Sequence, residues 1–163
     1  MKVFIVSDTH FAHRNMIKYT HRPEGFDELI VDNWNKLVDN EDLVIHLGDV
    51  CLAGSRLWDH FVGRLKGRKI LVRGNHDSKS YKRYMEIGFD FVCDSFSWTI
   101  YGKRVLFTHI PVIPLTEGYD VNVHGHVHTR KDYKESEQNR LFSLEDMGYR
   151  PVLLKTFLER NIK

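Results

Sequence analysis

Residues 3–10 read Val-Phe-Ile-Val-Ser-Asp-Thr-His, and the same grammar returns twice, as Leu-Val-Ile-His-Leu-Gly-Asp-Val at 43–50 and Ile-Leu-Val-Arg-Gly-Asn-His-Asp at 70–77. Each stretch is a short apolar, largely β-branched run that stops at a polar turn. Such runs suit strands buried on both faces of a layered α/β sheet. Three strands therefore feed three polar turns: Ser7 and Asp8, then Gly48 and Asp49, then Gly74, Asn75 and His76.

The segments between these strands carry helical periodicity. Over Phe26 to Val38, Leu29, Ile30, Trp34, Leu37 and Val38 share a face, with Asp27, Glu28, Asp32, Asn33 and Lys36 opposite. Leu57, Trp58, Phe61, Val62 and Leu65 repeat the pattern after Gly54 and Ser55, with Gly67 as the expected stop. Alternation of strand and helix predicts right-handed βαβ units and a mostly parallel first sheet.

After residue 88 the texture changes. Phe91 and Val92, Ser97 to Tyr101 and Arg104 to Thr108 are short strand-like runs, the last two separated by a Tyr101–Gly102 turn. They predict an antiparallel second sheet, to which Val121 to Val123 and Val152 to Leu154 could add strands, with Phe157 to Asn161 a final helix. Thr129 to Arg140 is almost wholly polar and reads as an exposed loop or hairpin tip. No linker or repeat divides the chain, so residues 1–163 are read as one domain.

The 163 residues are 42% apolar and 28% charged, which excludes default disorder and suits a globular chain. A formal charge of +2, from 24 basic against 22 acidic residues, is too balanced for a large nucleic-acid footprint. The apolar run at the N-terminus is too short for a signal-peptide core or membrane span, so a cytoplasmic location without membrane contact is expected. Cys51 and Cys93 lack paired spacing and read as reduced thiols. Ten histidines are many for this length, and several cluster beside Asp, Asn and Gly.

Functional groups of an open α/β sheet gather beyond the carboxyl ends of its strands. Asp8 and His10, Asp49, and Asn75 and His76 occupy three such ends; His109 follows the run Val105 to Thr108, and His126 and His128 follow another. Carboxylate oxygen with imidazole nitrogen and no thiolate suits Mn²⁺, Fe²⁺, Zn²⁺ or Ni²⁺. Alternation along extended backbone would point Asp8 and His10 to one side, and likewise His126 and His128. Gly48, Gly74 and Gly125 would let the backbone approach a metal or phosphate closely. Each element alone has an ordinary structural reading, an Asp after a strand being commonly a cap. Five ordinary readings at five strand ends would have to coincide.

The chain resembles the calcineurin-like metallophosphoesterase superfamily, through Asp8-Thr9-His10, Gly48-Asp49, Gly74-Asn75-His76-Asp77, Thr108-His109 and Gly125-His126-Val127-His128 in that order. The spacing is similar to that of small, cap-free bacterial and phage-type members. The resemblance implies an α/β/β/α four-layer sandwich of two mixed sheets flanked by helices. It implies two divalent cations, one held by Asp8, His10, Asp49 and His128 and the other by Asp49, Asn75, His109 and His126, with Asp49 bridging. Mn²⁺ is the first expectation, with Fe, Zn or Ni as alternatives. It implies hydrolysis of a phosphomonoester or phosphodiester by a metal-bridging hydroxide, with His76 as the catalytic group that assists the leaving group.

Other residues stay open. Asp77 could orient His76 or fix its turn through backbone amides; His13, Arg14 and Asn15 could face phosphate or start a helix; Arg73 could contact phosphate or cover a strand end. His124 is read as pointing away from the histidines that follow it, although alternation also permits it to share their side. His46, His21 and His60 read as structural or exposed, and Trp34, Trp58 and Phe61 as core. The basic cluster Arg64, Lys66, Arg68 and Lys69 reads as a solvated turn unless the substrate is nucleic acid. Two alternatives stand beside the small-substrate enzyme: a nuclease or nucleic-acid end-processing phosphatase, and a catalytically silent metal-binding scaffold for other proteins. Substrate identity and oligomeric state do not follow from these residues.

Overall fold

The computed structural model describes residues 1–129 and 132–162. In chain order the elements are β1 (Val3–Val6), α1 (Met16–Tyr19), α2 (Phe26–Leu37), β2 (Leu43–His46), α3 (Ser55–Val62), β3 (Arg68–Val72), α4 (Tyr81–Ile87), β4 (Phe91–Cys93), β5 (Ser95–Ile100), β6 (Lys103–Thr108), β7 (Val121–His124), β8 (Asn139–Leu141), β9 (Val152–Leu153) and α5 (Leu154–Glu159). They form an α/β fold of two mixed sheets flanked by helices, with strand orders β4-β3-β2-β1-β9 and β5-β6-β7-β8. No helix among the described residues is long and apolar enough to cross a membrane.

In the first sheet β1 to β4 are parallel, and Val6 lies beside His46, which lies beside Leu71. That register brings the carboxyl ends of three strands side by side. The crossover helices bury the predicted stripes: Phe26, Ile30, Val31 and Trp34 on α2, and Trp58, Phe61 and Val62 on α3. Trp34 is fully buried and spends its only polar atom by donating to the Lys66 carbonyl, 2.9 Å away. Truncating such a side chain to Ala costs about 3–5 kcal/mol. Helix α3 ends at Gly63, before the expected stop; Gly67 instead turns the chain into β3 with a φ of 85°.

Several expectations for the second half are corrected. Phe91–Cys93 pairs in parallel with β3 in the first sheet, because the intervening α4, which the sequence reading missed, returns the chain in the same direction. Val152–Leu153 also joins the first sheet, antiparallel to β1. In the second sheet only β5 and β6 are antiparallel, joined by the expected Tyr101–Gly102 turn. Both turn residues have positive φ, at 52° and 75°, the pattern that matches hairpin twist. Strands β7 and β8 are parallel to their neighbours. The connections over 109–120 and 125–138 are long enough to bring the chain back to the same end, which a hairpin loop is not.

The polar stretch Thr129 to Arg140 is also corrected. Its end forms β8, where Asn139 and Arg140 are buried, while Arg130 and Lys131 lie outside the described residues. The last helix starts at Leu154, three residues before the expected start. Phe142 and Phe157, with ring centroids 5.6 Å apart, pack the end of the second sheet on that helix.

Candidate metal centre

Parallel pairing does not stop where the strands of the first sheet stop. Asp8 N–H donates to the Gly48 carbonyl at 3.0 Å, and His10 N–H to the Asp49 carbonyl at 3.0 Å. The two turns therefore run on together as a ladder. In the second sheet Gly125 N–H donates to the His109 carbonyl at 3.0 Å, so the segments after β6 and β7 are joined in the same way. Asp77 ties the third turn to the second, accepting from the amides of Asp49 (2.8 Å), Val50 (3.2 Å) and Gly74 (2.8 Å). Of its two proposed roles, fixing the turn through amides is the one these bonds describe. Burial nonetheless raises its pKa to about 6.

Two clusters result: Asp8, His10 and His128 in one, and Asp49, His109 and His126 in the other, each offering ligand atoms within 4.8 Å of one another. Asn75 adjoins the second, with its Oδ1 3.0 Å from His109 Nε2. All seven sequence-predicted ligand positions are thus brought to one place. His76 stands outside both clusters with its side chain 47% exposed and Nε2 4.0 Å from Asp49 Oδ2.

The two carboxylates divide their oxygens in the same manner. Asp8 Oδ2 accepts from Ser7 Oγ at 2.6 Å and from His126 N–H at 2.9 Å, whereas its Oδ1 has no hydrogen-bond partner and faces His10 and His128 at 3.7 and 3.6 Å. Asp49 Oδ1 accepts from His76 N–H at 2.9 Å, whereas its Oδ2 faces His10 and His109 at 3.6 and 3.4 Å. Both ring nitrogens of His10 are buried and unpartnered. Buried polar atoms are ordinarily hydrogen-bonded, so the unpartnered Asp8 Oδ1 and His10 Nε2, converging with Asp49 Oδ2 and His128 Nε2, fit a divalent cation.

The backbone is strained where these groups sit. Asp8, His10, Asp49, His126 and His128 have φ of 54°, 48°, 55°, 70° and 53°. The expected alternation along extended backbone is therefore replaced by left-handed residues, a conformation that Asp and His tolerate better than most but that still costs about 1–3 kcal/mol each. Such strain persists only where the surroundings impose it. Gly74 and Gly125 show how tightly they do: a Cβ on Gly74 would overlap Asp49 Oδ1, and one on Gly125 would overlap Ser7 Oγ and Asp8 Oδ2. At these two glycines the close approach seen is to the carboxylates.

Charge in the cluster is mutually adjusted. Burial works against the ionised form of Asp8, yet His10, His128 and His109 hold its carboxyl well below the usual range. Burial likewise opposes a charged His109, but the Asp49 carboxylate 3.4 Å away and the charge of Asp8 raise its pKa to about 9. Its Nδ1 donates to the Leu47 carbonyl at 2.6 Å, which leaves Nε2, directed at Asn75 and Asp49, as the atom that changes state. His46 is fully enclosed, and burial pushes its pKa down to about 3. Because Thr9 Oγ1 donates to the Val50 carbonyl at 2.8 Å, His46 Nε2 must donate to Thr9 across 3.0 Å, while its Nδ1 accepts from Gly48 N–H at 3.1 Å.

The residues left open now have positions. His13 lies beside His10, ring centroids 5.5 Å apart, while Arg14 and Asn15 are exposed. Arg73 is held by Asp94 at 2.6 and 2.8 Å and lies over the Tyr81 ring. His124 is buried against Tyr133 Oη at 2.6 Å and belongs to neither cluster. His21 and His60 are exposed. Trp34, Trp58 and Phe61 are core. The basic cluster is largely engaged: Arg64 grips Glu28, and Lys69, expected in a solvated turn, is buried and donates to the Leu65 and Gly67 carbonyls. Burial pushes the thiols of Cys51 and Cys93 up to about 12 and about 11.

Sequence reasoning missed Ser7, Arg22 and Glu145. Arg22 is buried and donates to the Asp8 and Thr9 carbonyls, both at 2.7 Å, and to Glu145 Oε1 at 2.9 Å. Glu145 Oε1 in turn lies 3.6 Å from His128 Nδ1, an ion-pair distance rather than a hydrogen bond. Burial opposes ionisation of Glu145, but His128 and Arg22 bring its pKa down to about 2. A separation of 123 residues between Arg22 and Glu145 leaves no local signal that they meet.

A family model for calcineurin-like phosphoesterases matches residues 1–159. An uncharacterized protein of Methanocaldococcus jannaschii, MJ1445, is 30% identical over 165 residues, covering 94% of this chain and 87% of the relative. The crystal structure of a protein of unknown function from Aquifex aeolicus, AQ665, superposes with a TM-score of 0.74 at 30% identity, over 93% of this chain and 94% of that one. YfcE, a phosphoesterase from E. coli, shares the fold with a TM-score of 0.53 at 21% identity, over 88% and 78% of the two chains.

Proposed function

We propose, from the premise that this chain belongs to the calcineurin-like phosphoesterase family and is a metal-dependent phosphoesterase, that it hydrolyses a small phosphomonoester or phosphodiester at a centre for two cations. Asp8, His10, Asp49 and His128 would hold one ion, and Asp49, Asn75, His109 and His126 the other. The observation that carries this reading is the position of Asp49 Oδ2, within 3.6 Å of His10 in one cluster and 3.4 Å of His109 in the other. A pair of divalent cations supplies charge neutralisation for the phosphoryl oxygens and an acidified water; Mn²⁺ suits the oxygen and nitrogen donors, as do Fe, Zn and Ni.

The protein's own groups do the rest. Asp8 and Asp49 are each anchored through one oxygen, so the other is preorganised and needs no rearrangement when charge develops. His109 is oriented by the Leu47 carbonyl. His76, exposed and outside both clusters, is free to donate a proton to the leaving oxygen, a role typically worth 10²–10⁴ in rate. Beside Asn75 and His109 a cleft of about 290 Å³, also lined by Arg73, Asp94, Thr108 and Ile110, opens to solvent. Its size suits a small ester. Engagement of Arg64 and Lys69 within the fold removes much of the support for a nucleic-acid substrate.

The test is a panel of monoesters, linear and cyclic diesters and short oligonucleotides, each assayed with Mn²⁺, Ni²⁺, Zn²⁺ and Mg²⁺. Turnover of a small ester that requires added metal and stops with chelator is expected. Two bound ions with no turnover of any ester would instead favour the silent scaffold, and salt-sensitive cleavage of oligonucleotides alone the nuclease.

A further inference from the structure

The first cluster rests on a buried ion pair that no metal needs as a ligand. Arg22 and Glu145 side chains are 0% and 7% exposed. Removing two charges from water costs several kcal/mol per ion, so such a pair is weak evidence of stabilisation and calls for another reason. Its geometry supplies one. Two arms of the guanidinium grip the carbonyls of Asp8 and Thr9, across the turn where Asp8 takes a φ of 54°. The third binds Glu145 Oε1, and that same oxygen faces His128 Nδ1.

The state of His128 follows from this contact. Its Nε2 points at Asp8 Oδ1, 3.6 Å away, and must present a lone pair there to bind a cation. The ring proton then has to sit on Nδ1, where Glu145 is the facing carboxylate. A carboxylate behind a metal-binding histidine fixes the tautomer and ring plane and raises its basicity. The second cluster is set up by other means, since His109 donates to a backbone carbonyl.

We propose that Arg22 and Glu145 are positioning residues for the first cluster: Glu145 sets the proton and orientation of His128, and Arg22 holds the left-handed turn of Asp8. Cation affinity at Asp8, His10 and His128 depends on this pair, and affinity at Asp49, His109 and His126 does not. The inference rests on the two-cation reading above.

Mn²⁺ titration, followed by loss of the free-ion paramagnetic resonance signal, tests it on three backgrounds. Wild type should take up two ions; fewer would overturn the two-cation reading and this inference with it. With His126→Ala, which leaves the first cluster intact, adding Glu145→Gln should weaken Mn²⁺ binding by roughly 10–100-fold. With His128→Ala, which leaves the second, the same change should shift binding by less than about twofold, the scatter of independent sites. If Glu145→Gln does not fold, Arg22→Lys, which keeps the charge and loses the two-carbonyl grip, is expected to show the same selectivity. Equal losses on both backgrounds, or none, in a wild type that binds two ions would overturn the positioning role alone.

Discussion

Asp49 Oδ2 stands 3.6 Å from His10 Nε2, so a carboxylate of the second cluster reaches into the first. The same oxygen is 3.4 Å from His109. One side chain therefore faces both groups. Asp49→Asn removes its charge while keeping its shape, and both Mn²⁺ affinities should fall together, each by more than the roughly 10–100-fold that loss of a partner behind a ligand costs. Calorimetry on wild type and variant checks this; normal uptake of two ions would rule out a shared Asp49.

His76 makes the opposite prediction. Its side chain is exposed and lies at the rim of Asp49 rather than within either cluster. His76→Ala should bind two Mn²⁺ with unchanged affinity while kcat falls about 10²–10⁴-fold. Metal counting beside the rate is the measurement, and full activity would remove His76 from the chemistry.

The proton on His109 should leave when metal enters. With its pKa raised to about 9, the metal-free ring is charged at pH 7 to 8, and its Nε2 proton occupies the direction a cation needs. Binding at pH 7.5 should therefore release close to one proton from this group, and affinity should rise with pH up to about 9. Calorimetry in buffers of different ionisation enthalpy reads that proton, and buffer-independent heats would contradict it. The linked stability has a definite sign. A raised folded-state pKa stabilises the metal-free fold fully below the ordinary value of 6.5, and that contribution is lost as pH rises through about 9.

Gly125 is predicted to accept no side chain. A Cβ there would overlap Ser7 Oγ and the anchored oxygen of Asp8, so Gly125→Ala must displace both. Overpacking of this kind costs about 1–3 kcal/mol, and because Asp8 moves, Mn²⁺ affinity at the first cluster should fall as well. Thermal unfolding of the metal-free protein and Mn²⁺ titration would report the two effects separately. A variant with wild-type values in both would show that the turn is looser than this packing implies.

Much of the fold was legible from local pattern. Strands β1, β2 and β3, the long helix α2 and the Tyr101–Gly102 hairpin follow from buried apolar runs, a helical stripe and a turn dipeptide, all of which act over a few residues. The gathering of Asp8, His10, Asp49 and Asn75 was legible for a related reason, because they follow strands read as parallel and parallel pairing brings such ends together; His109, His126 and His128 were named through the order of the motifs, since an antiparallel second sheet would have parted His109 from the other two. Helix α4 was overlooked because its buried face consists of little more than Tyr84 and Ile87. Overlooking it sent β4 to the wrong sheet. The direction of β7 and β8 was equally hidden, since it depends on where long connections return.

The sequence by itself determined the kinds of donor atoms available, their order along the chain and the strand ends that carry them, because hydrophobic period and residue chemistry are local properties. Only the tertiary structure decided which oxygen of Asp8 and Asp49 is tied to an amide and which faces the histidines, that five residues of the two clusters sit in left-handed backbone, and that Arg22 meets Glu145 behind His128. Those outcomes depend on angles and contacts between segments up to 123 residues apart. They exist only once the sheets have closed and burial has made each unpaired charge costly enough to demand a partner.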